Sequence, residues 1–267
     1  MNPAPVDVPA WVREVIDSSL GRPHRPDPIT PKTGGPAGNA RLTAATGLLL
    51  LAMFFIEGLT VLAIGPLITW HIIVGFLLIP PVLLKTATTS YRIIGYYARR
   101  PLYRQAGPPP VLLRVLGPGV IVLTLALLGT GVALIATGPN GARPFVIVGP
   151  AAISLVTLHQ ASAIAWLAVI GAHVLTRTVS ALRLTASDGR PRPTVPGRNL
   201  RLLVVLLALA AAAGTGALLA NWGGSAWQRY VHGEAPAPKT DHSSVPAGYT
   251  PTVWPLLAAG EGLRASR

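Results

Sequence analysis

Cysteine is absent from this 267-residue chain. That absence removes disulfide scaffolds, thiolate zinc sites, iron–sulfur clusters and thiol nucleophiles together, and any metal must then be held by His, Met, carboxylate or amine. Acidic residues are scarce as well: nine Asp and Glu stand against 22 Lys and Arg, a formal charge of +13. Such a balance ordinarily invites a nucleic-acid reading, because phosphate neutralisation needs clustered cations. Only 12% of residues are charged, however, and 51% are hydrophobic, which strains that reading from the start. Phosphate loops, dinucleotide fingerprints, nucleophile elbows and zinc-protease signatures are missing too, and no residue stands out as catalytic.

What the chain has in quantity is long apolar runs. Residues 42–64 (LTAATGLLLLAMFFIEGLTVLAI) contain a single charge, Glu57, and are long enough to cross a hydrocarbon core of about 30 Å as a helix. Further runs of sufficient length cover 66–88, 115–136, 146–175 and 202–220. The expected fold is therefore an all-α membrane protein with five transmembrane helices in domain 41–221. It is flanked by a Pro-rich N-terminal segment, 1–40, and an irregular tail, 222–267. Some 40 residues precede the first run, and it exceeds the 7–15 residues usual for a signal-peptide core, so it is expected to be an uncleaved anchor.

Charge allocation sets the orientation. Between the second and third runs lie Arg92, Arg99, Arg100, Arg104 and Arg114 with no acid; between the fourth and fifth lie Arg177, Arg183, Arg190, Arg192, Arg198 and Arg201 against Asp188. The connections on the other side carry only Arg143. By the positive-inside rule the arginine-rich loops are cytoplasmic, so the N-terminus is inside and the C-terminal tail outside, at the plasma (inner) membrane. Trp222, Trp227 and Tyr230 suit an interfacial aromatic belt, and 8–21 is a short amphipathic stretch suited to the cytoplasmic membrane face. With most of the charge explained this way, membrane lipid replaces nucleic acid as the expected partner.

Three histidines, His24, His232 and His242, fall in polar segments, and three, His71, His159 and His173, in apolar runs. Ionisable groups in hydrocarbon are costly, and usually face the bundle interior with a partner. His159 and His173 are 14 residues apart, within about 40° of four whole turns and about 21 Å along a helix axis. His71 and Lys85 repeat that spacing on a run of the same direction. His71 should then lie near the level of His159, and Lys85 near that of His173.

This constellation suits a haem held edge-on between two helices, since iron takes axial imidazoles from opposite sides; the bland reading for each His is a hydrogen-bonded core residue. Gly75, one turn from His71, Gly171 beside His173, Gly129-Thr130-Gly131 and Gly214-Thr215-Gly216 would admit a ring or simply a neighbouring helix. Lys85 is most simply a snorkelling side chain; contact with a haem propionate and axial ligation are the alternatives. Glu57 fits three roles equally: orienting an axial imidazole through its other ring N–H, relaying protons, or standing protonated and hydrogen-bonded.

The stretch from Trp70 through the Lys85 segment, the following Thr-Ser-Tyr-Arg and the Gly107-Pro108-Pro109-Pro110 loop, together with LHQASAIAWLAVIGAHVL, resembles the small actinobacterial b-type cytochrome membrane proteins, which are similar to transmembrane haem subunits of respiratory oxidoreductases. The resemblance spans about residues 41–177. It implies a four-helix haem-binding bundle plus one added helix, haem b as cofactor, and electron transfer between an extracytoplasmic redox partner, of molybdopterin type in some relatives, and quinone or an inner haem. Lys85 departs from the pattern, standing where a di-haem arrangement would place a fourth His. The resemblance therefore favours the haem on His71 and His159 over a second one near His173 and Lys85. An electron-transfer subunit is favoured over a stand-alone enzyme. The alternative is a non-redox membrane subunit or small transporter whose intramembrane histidines are structural.

Overall fold

The computed structural model describes residues 9–20, 22, 26–108, 111–148, 151–185, 194–220 and 224–233. Five of its helices are long and apolar enough to cross a membrane: α2 (Gly35–Val61), α3 (Ile64–Tyr97), α5 (Val111–Thr137), α6 (Leu155–Thr185) and α7 (Arg198–Ala220). Short helices α1 (Ala10–Ser19), α4 (Pro101–Ala106) and α8 (Gly224–Val231) flank them. The described residues are thus all-α apart from one two-stranded ribbon, and the five apolar helices suggest a multi-pass integral membrane protein.

Two hairpins, α2–α3 and α5–α6, pack together through α2 and α6. Helices α3 and α6 lie diagonally across this four-helix bundle, while α7 lies against α3 as the added helix. Gly216 permits the close approach of α7, since a Cβ there would stand 3.0 Å from Leu77. Between the bundle ends lies an apolar layer of Leu50, Leu78 and Val82 with Met53, Phe54 and Leu128. Phe54 and Trp166 add a ring contact at 4.5 Å, and the Trp166 indole N–H donates to Thr124 Oγ1 at 2.8 Å.

Several expected boundaries are corrected. The run at 146–175 is not one helix: Val146–Val148 pairs antiparallel with Ala151–Ile153, Val146 opposite Ile153. Helix α6 starts only at Leu155. The cause is local, because Ser154 and Thr157 cap reciprocally, Ser154 Oγ accepting from the Thr157 N–H at 3.2 Å and Thr157 Oγ1 from the Ser154 N–H at 2.6 Å, which is capping-box logic. Counted from the observed starts of α3 and α6, His71 and His159 are about 10 Å and 6 Å deep. At the other end, α3 and α6 continue past their apolar stretches, so Arg92, Arg177 and Arg183 lie in helices rather than loops.

The tail is not wholly irregular, because residues 224–231 form α8. Trp227 does not sit in an interfacial belt either. It is buried against Ile72 and Phe76 of α3, and its indole N–H donates to the Leu134 carbonyl at 3.0 Å. Trp222, His24, His242, Asp188, Arg190, Arg192, Pro109 and Pro110 lie outside the described residues.

Candidate functional site

Polar side chains meet inside the bundle at two levels, separated by the apolar layer. The first, nearer α8, contains Glu57 and Thr60 of α2, His71 of α3, Thr130 of α5 and His159 of α6. The His71 and His159 rings face each other across the diagonal, centroids 6.3 Å apart and planes at 81°.

Each ring's Nδ1 meets a threonine hydroxyl of the neighbouring helix. Thr60 Oγ1 donates its one proton to the Glu57 carbonyl at 2.6 Å, so at its 3.0 Å contact with His71 Nδ1 it can only accept. Glu57 Oε1 lies 3.0 Å from the same nitrogen and is a second acceptor for that N–H. Thr130 repeats the pattern: its hydroxyl donates to the Ala126 and Leu127 carbonyls at 2.8 and 2.9 Å, and it accepts from His159 Nδ1 at 3.0 Å. With the threonine protons directed to carbonyls of their own helices, each Nδ1 can carry its ring's proton and leave a lone pair on Nε2, the form in which a neutral His ligates a metal.

In each hairpin the threonine sits on the first helix and the histidine on the second. Neither Thr60 nor Thr130 was nominated as a His partner by spacing. The available signals were Thr60 three residues after the one intramembrane acid, and Thr130 between two glycines.

The glycines divide. A Cβ on Gly131 would meet His159 Cε1 at 3.3 Å, and one on Gly75 would meet Glu57 Oε1 at 3.4 Å; both keep room for side chains of the first level. Cβ atoms at Gly129, Gly171 and Gly214 would meet nothing within 4 Å. Glu57 Oε2 is buried with no hydrogen-bond partner among the described residues.

The second level contains Lys85 of α3 with His173 and Arg177 of α6, in mutual electrostatic reach. Lys85 Nζ donates to the Thr43 carbonyl at 2.9 Å, which turns it into the bundle rather than out along lipid. His173 Nδ1 is buried with no hydrogen-bond partner among the described residues. Nearby, Asp27 accepts both guanidinium arms of Arg92, at 2.7 and 2.9 Å. The spacing argument thus pairs both levels in the expected way, but Arg177, Asp27 and Arg92 join the second without having been foreseen.

Among the described residues no group of three or more His, Asp and Glu is arranged to hold a bare metal ion. No protein-family model, curated protein or solved structure matches the chain. Function has to be read from these two levels.

Proposed function

We propose that the protein is a membrane-bound b-type cytochrome in which His71 and His159 are the axial ligands of one haem. The observation that carries this reading is the facing pair of imidazoles, 6.3 Å between centroids, each with Nδ1–H held by a threonine. Two imidazoles bound at about 2 Å on opposite sides of one ion have centroids roughly 6 Å apart. The donor set also fits: haem iron needs two axial nitrogens and no carboxylate cluster, whereas a structural zinc would need four ligands.

When bound, haem would supply a one-electron carrier. The chain's own residues do the positioning. Thr60 and Glu57 hold the His71 ring from α2 and Thr130 holds the His159 ring from α5, each at Nδ1, so that Nε2 would be the nitrogen to hold the haem. Trp227 packs with Ile72 and Phe76 on the helix that carries His71. In this reading the arginine-rich end, with α4, is cytoplasmic, and the α8 end faces an extracytoplasmic redox partner, with quinone as the exchange partner in the membrane.

A second reading is favoured by the His71–Thr60–Glu57 cluster, in which His71 Nδ1 already has Thr60 and Glu57 as partners: a non-redox membrane subunit or small transporter with structural histidines. One experiment separates them. Full-length protein produced with ample haem should show a reduced-minus-oxidised spectrum of low-spin bis-imidazole haem at about one haem per chain. Protein purified without haem under those conditions would defeat the cytochrome reading.

A further inference from the structure

We propose that the corner between α3 and α4 is a binding surface for anionic phospholipid headgroups, with Arg99, Arg100 and Arg104 meeting phosphates and Tyr91 and Tyr97 seated at the membrane interface. This rests on the five apolar helices and holds whether or not haem is present.

Its basis is a gradient along one face of α3. Leu83, Tyr91, Ile94 and Tyr97 are all exposed and fall within an arc of about 120° around the helix. Along the axis this surface is aliphatic at Leu83, aromatic at Tyr91 and Tyr97, which are about 9 Å apart, and cationic at Arg99, Arg100 and Arg104, all exposed. A helix leaving a bilayer meets hydrocarbon, headgroup boundary and phosphate in that order, and the aromatic stretch is comparable in length with one headgroup region.

The corner holds these groups in place. Helix α3 ends in a left-handed residue, Arg99 with φ 57°, and the N–H groups of Arg99 and Arg100 donate to the carbonyls of Tyr96 and Gly95 at 3.1 and 3.0 Å. Glycine usually fills such a position; here it carries a cation. Helix α4 then folds back, with Tyr103 buried against Gly95, where a Cβ would stand 2.9 Å from its ring. Tyr103 also meets Tyr91 edge-on, centroids 5.6 Å apart. The Arg100 guanidinium lies 5.1 Å from the Tyr91 ring centroid, which places it on the same face as the exposed tyrosine. The chain offers these cations no anion of its own. Between Glu57 and Asp188 the sequence has no acidic residue, and Asp27 is taken by both arms of Arg92. No ion pair among the described residues involves Arg99, Arg100 or Arg104. Guanidinium groups at the membrane surface match lipid phosphate in charge and geometry.

Because the chain has no Cys, a single introduced thiol reports locally. Full-length protein with a fluorophore on Leu102→Cys, an exposed α4 position, is placed in nanodiscs of mixed phosphatidylglycerol and phosphatidylcholine, with one lipid or the other brominated. Quenching should show phosphatidylglycerol enriched beside this label and the enrichment lost at high salt, while a label on Arg143→Cys at the other end should show none. Arg100→Gln and Arg104→Gln should each weaken the preference by up to about fivefold. Arg99→Gly should weaken it too without lowering the unfolding midpoint, since glycine takes that φ freely; a merely structural Arg99 would leave the preference unchanged. Equal quenching by the two lipids, equal enrichment at both labels, or full preference in the triple variant Arg99→Gly, Arg100→Gln, Arg104→Gln would overturn the proposal. So would the absence of quenching by either lipid, the result expected if this corner faces a soluble partner. If a variant does not fold, the comparison of the two labels and two lipids on otherwise wild-type protein decides alone.

Discussion

At the His71 level both ring Nδ1 atoms meet a threonine hydroxyl and a carboxylate stands beside one of them, whereas at the Lys85 level the Nδ1 of His173 is buried with no hydrogen-bond partner among the described residues and Lys85 meets a backbone carbonyl. The same 14-residue spacing generated both. What separates them is the neighbouring helix: α2 and α5 present Thr60 and Thr130 at the first level, while at the second α2 presents a backbone carbonyl and a glycine. A polar group inside an apolar bundle becomes either a positioned ligand or an unbalanced charge, according to what the adjacent helix offers within hydrogen-bond reach.

The strongest way to break this comparison is to remove an imidazole from the first level. His71→Ala and His159→Ala should each abolish the low-spin haem spectrum, and its survival in both would sink the ligand assignment. Trp227→Ala should come next, costing about 3–5 kcal/mol as a large aromatic is removed from a packed site. It is read as a lower thermal midpoint, and an unchanged midpoint would mean that α8 does not seal the bundle. Thr60→Val and Thr130→Val keep shape and remove the acceptor. Loss of a ligand's hydrogen-bonded support typically weakens metal affinity about 10- to 100-fold, so haem should dissociate measurably faster from either variant, and wild-type dissociation would show that the threonines do not orient the rings. Ser154→Ala should cost about 1 kcal/mol through the lost cap, visible as a small drop in midpoint with the spectrum intact. The smallest effect sharpens the contrast: Lys85→Met should leave the spectrum of the first level as it is, because an apolar layer lies between.

Much of the frame was legible in the chain. Five apolar runs predicted five long helices, because each must satisfy its backbone within itself to cross a membrane. The repeated spacing predicted that His71 would meet His159 and Lys85 would meet His173. Legibility ended at the helix ends. Hydropathy reports where apolar side chains stop, not where backbone hydrogen bonds stop, so α3 and α6 run on through Arg92 and Arg183. It also cannot distinguish an apolar strand from an apolar helix over a few residues, which is how the ribbon before Ser154 was absorbed into a helix. The burial of Trp227 was equally hidden, since an amphipathic aromatic near a membrane end satisfies a headgroup belt and a packed lid alike.

By itself, then, the sequence determined the number of long apolar helices and the placing of ionisable groups along them, because both follow from chain period and from the cost of polar groups in hydrocarbon. Only the tertiary structure decided which side chains meet each imidazole and which carboxylate pairs with which arginine. Those properties depend on contacts between side chains on different helices, such as Thr130 with His159 and Asp27 with Arg92, and no periodicity within a single helix encodes them.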